Sequence, residues 1–487
     1  MNTLDHFDVI GPATVLLAGA AIVLLADLSS GRRARVRPLA LLALGVAALY
    51  AAGQTAAGTT GEAFGGAVGV DRFTLYVALL LIVIAAAVVL AGEAGLERIE
   101  QRGEYYALLL ASTASMLLLA QARDLIAIFV ALETTSIAQY VLVGLGRDAR
   151  ASEAGLKYLL TGAVAAAVLL YGFVLLFGIA GSTSLTDISL AVAETGDETR
   201  LAVIVAFVLV AAGVGFKMAI VPFHAWVPDV YQGAATPVTA FLSAASKAAG
   251  FAIALRLFYT GFGGGDTPIS ADWAKLFGVL AAVSMTLGNL AAIQQTDVKR
   301  LLGYSSIAQA GNIAVGLAAV AAGGTLGPAA VLFFLGTYAA TNLGAFIAVI
   351  AVGARVGSDE LRDYAGLLRR SPGLAIVLVL CLLSLTGLPP TAGFLAKLYV
   401  FNSAVQGGEQ WLVWLVVVAV FNTALSAYYY LRWARTILLD EPLDPTPFTS
   451  PTATNVVLTA AAIGVIFFGL VPTPLIDAAR SAAAALA

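Results

Sequence analysis

Cysteine is almost missing from this chain. Cys381 stands alone, and His6 and His224 are the only histidines in 487 residues. Four-cysteine iron–sulfur clusters and structural zinc sites are thereby excluded within the chain. A bis-histidine haem would need His6, which precedes the first apolar run. There is no phosphate-binding P-loop and no Gly-x-Gly-x-x-Gly turn after a strand. Electrons of any redox reaction in which the protein takes part must therefore run elsewhere. Charge is scarce too: 11% of residues are Asp, Glu, Lys or Arg, against about 25% in soluble proteins. The net charge of −3 is too small to draw nucleic acid. The first ten residues hold Asp5 and Asp8 but no lysine or arginine, unlike the basic start of a secretory signal. The first apolar run is expected to remain as a transmembrane helix.

What is abundant is hydrocarbon. Hydrophobic residues make up 60% of the chain and the mean hydropathy is +0.93, which defines an all-α polytopic membrane protein whose solvent is the bilayer. The 49 glycines suit helices that approach closely in lipid. Fourteen apolar runs of spanning length are expected, at 11–27, 38–53, 74–92, 104–121, 123–144, 157–180, 201–223, 237–260, 273–293, 301–321, 328–353, 373–403, 410–433 and 454–471. No connection is long enough for a soluble domain. The basic residues set an orientation. With the amino terminus outside, the inward connections hold Arg32, Arg33, Arg35, Arg37, Arg98, Arg102, Arg147, Arg150, Lys157, Lys299, Arg300, Arg355, Arg362, Arg369, Arg370, Arg432 and Arg435. The outward side holds Arg72, Arg123, Arg200, Lys275 and Arg480. Seventeen against five predicts both termini outside.

Two spans are interrupted, the seventh by Pro222 and the twelfth by Gly387-Leu388-Pro389-Pro390-Thr391-Ala392-Gly393. Proline removes a helical hydrogen bond, and the carbonyls it frees at membrane depth must be buried in protein or face water. Two broken spans five apart suggest paired repeats of opposite orientation. The expected organisation is a three-helix segment at 1–103, five-helix repeats at 104–260 and 272–436, and a final helix within 437–487.

Four ionisable residues fall deep in separate runs: Glu133, Lys217, Lys247 and Lys397. An ammonium at the bilayer centre costs about 2.5–3.5 kcal/mol on insertion scales. Any one such lysine is readily explained by snorkelling or a structural ion pair; four charges on central spans, two of them beside breaks, point to a proton relay. Burial and a nearby carboxylate push a lysine's proton affinity in opposite directions, and a lysine so balanced takes and releases a proton. Sodium is disfavoured, because it wants oxygen ligands and Glu133 is the one deep carboxylate. Glu133 and Lys217 are expected within ion-pair reach, directly or through one water. His224, two residues beyond Pro222, either carries protons between Lys217 and Lys247 or caps freed carbonyls. Glu104 and Lys157 open spans four and six and are expected to anchor at the inner interface. Arg256 is expected to snorkel, and Tyr428, Tyr429, Tyr430 and Trp433 to form an interfacial aromatic belt.

At these positions the chain resembles a known family. Pro222-Phe223-His224-Ala225-Trp226-Val227-Pro228-Asp229-Val230-Tyr231-Gln232-Gly233, then Thr236-Pro237-Val238-Thr239-Ala240-Phe241-Leu242-Ser243 and Ser246-Lys247, is similar to the subunit N family of the proton-pumping NADH–quinone oxidoreductase, complex I. So are Lys299-Arg300-Leu301-Leu302-Gly303-Tyr304-Ser305-Ser306 and Gly387-Leu388-Pro389-Pro390-Thr391-Ala392-Gly393-Phe394 with Lys397. Relatives of the subunit M type tend to carry glutamate where Lys397 stands. The resemblance implies fourteen helices, two inverted five-helix repeats and a proton channel in the membrane arm. It implies that Glu133 pairs with Lys217, that Lys247 is the middle of the axis and that Lys397 gates an exit, with Glu104, Lys157 and His224 at polar family positions. It also implies a bacterial inner membrane and neighbouring membrane-arm subunits, including related antiporter-like ones. The chain itself would carry no cofactor; NADH, flavin, iron–sulfur clusters and quinone would belong to partner subunits. One departure is Gln309, where many relatives have histidine; glutamine carries no proton charge, so a relay step there falls to water. Two other readings are a subunit of a multisubunit cation/proton antiporter, which would want more buried carboxylates, and a passive scaffold, which leaves the lysines without a role.

Overall fold

The computed structural model describes residues 3–29, 36–97, 99–265, 267–321, 326–406 and 408–486, the side chains of residues 3–6, 320 and 321 excepted. Arg32, Arg33, Arg35 and Arg98 of the basic bias lie outside the described residues, as does the side chain of His6. Helices α1 (Thr3–Ser29) and α2 (Val36–Ala57) lead to an antiparallel hairpin of β1 (Gly61–Ala63) and β2 (Val68–Val70), in which Glu62 pairs with Gly69. Then come α3 (Arg72–Ala91), α4 (Arg102–Gln121), α5 (Leu125–Gly144), α6 (Ala149–Ala180) and the short α7 (Leu185–Ala193). Helix α8 (Asp197–Met218) runs into the first break, and α9 (Trp226–Gly233) resumes beyond it. Helices α10 (Thr236–Phe241) and α11 (Lys247–Leu255) are parts of one span, Thr236–Gly261, which contains two π turns, Leu242–Ser246 and Arg256–Gly261. The chain continues through α12 (Ser270–Ile293), α13 (Val298–Ala321), α14 (Gly327–Val356) and α15 (Leu367–Arg370). Helix α16 (Pro372–Thr386) meets the second break, followed by α17 (Ala392–Gln406), α18 (Gln410–Leu439), α19 (Thr452–Leu470) and α20 (Thr473–Ala483).

Polar residues at the helix ends explain where the apolar runs start and stop. Asp71 accepts from the Thr74 N–H at 2.8 Å while its own N–H donates to Thr74 Oγ1 at 2.9 Å, a reciprocal cap on α3. Asp124 accepts from the N–H groups of Ile126 and Ala127 at the head of α5, and Asp148 from that of Ala151 at the head of α6. Helix α16 stops at Gly387, whose φ of +89° is the left-handed turn that glycine adopts without strain. Helix α8 stops at Ala219 with φ of +62°.

Among the described residues, twelve helices are long and apolar enough to cross a membrane. The expected fourteen requires two additions: α13, and α16 with α17 taken together as one interrupted span. The hairpin, α7 and α20 are additions to the expected all-helical plan. The span Thr236–Gly261 is the axis of the molecule, since its most apolar stretch is wholly buried, and Gly327–Val356 is next. Helices α6, α18 and α19 leave most of their apolar surface exposed, as lipid-facing helices do. The first break lies against this axis, where α8 packs on α11, and the second lies against Gly327–Val356, on which α16 and α17 both pack. Gly250 lets α11 touch α8 at the first break: a Cβ on it would come within 2.9 to 3.1 Å of the backbone of Lys217 and Met218.

Two expectations about side chains fail. Arg256 does not snorkel. It is buried and donates to Asp71 Oδ2 at 2.9 Å, stacked 4.8 Å over the Phe73 ring. Arg123 shares the same Asp71 oxygen at 2.9 Å and also pairs with Glu62 of the hairpin. Of the four aromatics expected in a belt on α18, Tyr428 is exposed and Tyr429, Tyr430 and Trp433 are fully buried. Belt and core aromatics have the same composition, and only packing tells them apart.

Candidate functional site: a buried line of lysines and helix-break carbonyls

Breaking a helix inside a bilayer leaves backbone groups that must find partners. At the first break, Val221 N–H donates to Ser284 Oγ at 2.9 Å and the Trp226 indole N–H to Phe216 O at 3.2 Å. The Met218 carbonyl accepts from Lys247 Nζ at 3.3 Å. The same ammonium donates to Ser306 O on α13 at 2.9 Å. At the second break the pattern returns: Lys397 Nζ donates to Thr386 O at 2.8 Å, the Gln309 amide to Leu385 O at 2.8 Å, and Gly393 N–H to Ser384 Oγ at 3.1 Å. At each break, then, a lysine from another helical segment satisfies a carbonyl that the interrupted helix cannot.

Lys217, in the last turn of α8, is held differently. Its Nζ donates to Gln139 Oε1 on α5 at 2.8 Å and lies 5.9 Å from the centre of the Tyr158 ring. The same Gln139 oxygen receives the Tyr158 hydroxyl at 3.1 Å and the Ser246 hydroxyl at 3.1 Å. Ser246 is the chain neighbour of Lys247, so Lys217 and Lys247 are joined through one amide and one serine. Lys217, Lys247 and Lys397 are all buried.

Between Lys247 and Lys397 the gap is filled by polar side chains. Ser306 Oγ accepts the Tyr338 hydroxyl at 3.3 Å and lies 3.4 Å from the Tyr231 hydroxyl. Ser305 is hydrogen-bonded to Tyr430, whose hydroxyl also meets Gln309. Gln309 in turn reaches Leu385 O, one residue from the carbonyl that Lys397 holds. The line therefore runs from α5 and α8 through α11 and α13 to the second break, hydrogen-bonded for most of its length.

The other expected residues sit off this line. Glu133 is half-buried on α5 and close enough to Lys217 for their charges to interact, but no direct ion pair forms. The direct partner of the Lys217 ammonium is the amide oxygen of Gln139. His224 is half-buried with Nδ1 unpartnered, and the hydrogen bonds of Lys217 and Lys247 go elsewhere. Lys157 is exposed and pairs with Glu153 and Asp229, both at 2.8 Å. Asp229 also takes Arg300 at 2.6 Å, so Lys157 ties α6 to α9 and α13. Glu104 is exposed in the first turn of α4. Gln139 escaped the sequence reading, and Ser246, Ser306 and Tyr430 entered it only as motif or belt residues, because neutral polar residues are common in transmembrane helices and carry no charge to mark them.

Comparison with known proteins assigns this architecture to a class. The family described as NADH:quinone oxidoreductase/Mrp antiporter, TM, matches residues 122–423, which include both breaks and every residue of the line except Tyr430. A chain of the Mrp complex from Dietzia sp. DQ12-45-1b is similar in fold over 100% of this chain and 98% of its own, with a TM-score of 0.88 at 22% identity. The fold is that of the antiporter-like membrane subunits.

Within that class, relatives of higher identity narrow the assignment. NADH-quinone oxidoreductase subunit N of Dehalococcoides mccartyi is 41% identical over 478 residues, covering 96% of this chain and 98% of that one. That of Anaeromyxobacter sp. strain Fw109-5 is 38% identical over 491 residues, covering 96% and 94%. A chain of respiratory complex I from Thermus thermophilus is 33% identical with a TM-score of 0.79, covering 96% and 98%. The chain belongs to the NADH-quinone oxidoreductase subunit N family.

Proposed function

We propose that the chain is a proton-translocating membrane-arm subunit of a NADH-quinone oxidoreductase, in which protons pass along Lys217, Lys247 and Lys397. NADH, flavin, iron–sulfur clusters and quinone act in partner subunits, and translocation here is coupled to their chemistry. The subunit sits in a bacterial cell membrane with both termini outside, beside related antiporter-like subunits. Its two five-helix repeats are 104–260 and 272–436.

The observation that supports this reading is the buried polar line itself. Three ammoniums at membrane depth are each hydrogen-bonded to a carbonyl or amide oxygen. Such acceptors offset the desolvation of a charged amine without fixing it as a carboxylate partner would. Each lysine is therefore able to give up its proton and leave no uncompensated buried anion behind. Hydroxyls of Ser305, Ser306, Tyr338 and Tyr430 both donate and accept, and pass a proton by reorienting. Gln309 serves as a fixed link in the hydrogen-bonded chain, with water taking the step that its amide cannot. Glu133 acts on Lys217 through space, and Lys157 braces the first break through Asp229.

Lys247 provides the test. Lys247→Ala lowers proton translocation while the complex still assembles, because a small apolar residue is cheap in lipid. Lys247→Arg also impairs it, because arginine does not release its proton. A scaffolding role predicts the reverse order, with arginine tolerated and alanine harming assembly. The measurement is protons moved per electron in reconstituted vesicles, with complex content read on native gels. Full pumping by Lys247→Arg would refute the relay at this residue.

A further inference from the structure

We infer that Gln139 is a positioning residue of the proton line, whose amide oxygen holds the Lys217 ammonium and links its protonation to the π turn that carries Lys247. The inference rests on the relay reading above. Gln139 is fully buried on α5, and its amide nitrogen is anchored by Ser112 Oγ at 3.3 Å and Met116 Sδ at 3.9 Å on α4. Lys217 only donates, so the oxygen must face it, and the orientation of the amide is thereby set.

That oxygen has two lone pairs and three donors: Lys217 Nζ, the Tyr158 hydroxyl and the Ser246 hydroxyl. The three cannot all be served well at once. While Lys217 is protonated, its charge-assisted bond is the strongest and, at 2.8 Å, the shortest. When Lys217 gives up its proton the oxygen turns to its other two donors. Ser246 is the last residue of the π turn Leu242–Ser246, and Lys247 follows it directly. A change of proton at Lys217 is in this way felt one residue from the next lysine of the line, with no carboxylate between them.

The titratable groups facing this cluster are Glu133 and Tyr140 on α5, Tyr158 on α6, Tyr231 on α9 and Lys247 on α11; α4 offers only the neutral Ser112 and Met116. All of them remain when residue 139 alone is changed. Two variants then move the system in opposite directions. Gln139→Met keeps the shape and removes the acceptor, which disfavours the protonated amine. Gln139→Glu adds a charge that favours it.

The experiment measures protons per electron against pH in vesicles containing the whole complex, for the wild type, Gln139→Met, Gln139→Glu and Lys217→Ala. The expected result is a profile shifted to lower pH by about one unit for Gln139→Met and to higher pH by a similar amount for Gln139→Glu, with Lys217→Ala strongly impaired. A purely structural role would change the amount of complex and leave the profile in place. If Lys217→Ala is impaired while the residue-139 variants keep the wild-type profile, the inference about Gln139 is overturned and the relay stands. If Lys217→Ala pumps normally, the relay through Lys217 fails, and the inference falls with it. Should Gln139→Met not assemble, Gln139→Asn, which retains the amide but shortens its reach, takes its place with the same expected direction of shift.

Discussion

Replacing Asp71 by alanine removes the carboxylate that holds Arg256. Asp71 Oδ2 sits 2.9 Å from the guanidiniums of both Arg256 and Arg123, and only 2% of Arg256 is exposed. Breaking a buried pair by removing one partner costs about 3–5 kcal/mol, because a charge is left without compensation. Loss of the reciprocal cap on α3 adds about 1 kcal/mol. Together these correspond to a fall in the folded-to-unfolded ratio of more than a hundredfold. Asp71→Asn keeps the cap and loses only the charge, so it is expected to be milder. The decisive variant is Asp71→Asn with Arg256→Met, in which the orphaned cation is gone. The double variant should recover most of the stability that Asp71→Asn loses. Burial by itself would raise the Asp71 carboxyl, but Arg256, the Thr74 N–H and Arg123 outweigh it and hold the carboxyl below its ordinary range. The stabilisation is then fully present above the ordinary carboxylate range, about pH 4, and is lost as pH falls through the depressed value of the folded state. The assay is thermal inactivation of the solubilised complex, followed by native gels at neutral pH. A double variant no more stable than Asp71→Asn would refute the argument that the buried guanidinium is what makes Asp71 necessary.

Two further outcomes are expected. Gly250→Ala forces a Cβ to within 2.9 to 3.1 Å of the backbone at the first break. Overpacking of that kind costs about 1–3 kcal/mol, and the variant should lower both complex content and pumping; normal values for both would show that α11 yields freely there. A reporter fused after Ala487 should be inactive in the cytoplasm, following the bias of seventeen basic residues to five. Cytoplasmic activity of that fusion would invert the topology.

The parts of this protein that were legible in the sequence are those that break the rule of the bilayer. Lys217, Lys247 and Lys397 announce themselves as charges in apolar runs, and Pro222 and Pro389-Pro390 announce the breaks beside them. The partners of those lysines were not legible. Met218 O, Ser306 O and Thr386 O are backbone atoms, which every residue possesses, and only the folded arrangement shows which of them meet an ammonium. Gln139 reads as one of many polar residues in a helix. Arg256 was misread because its partner lies 185 positions away, in a segment that looks like an ordinary loop before α3.

The two π turns in the central span alter how its surface must be mapped. An α-helix turns by about 100° per residue, and a π turn accommodates one residue more than an α turn. A helical wheel drawn continuously from Thr236 to Gly261 thus falls out of phase after Ser246, and again after Arg256. Deleting a single residue within Leu242–Ser246 would let the wide turn close to an α turn with Lys247 still facing Met218 and Ser306, whereas deleting one within the α-helical Thr236–Phe241 would swing Lys247 away by roughly one residue's rotation. In this span, residue count governs function as firmly as residue identity.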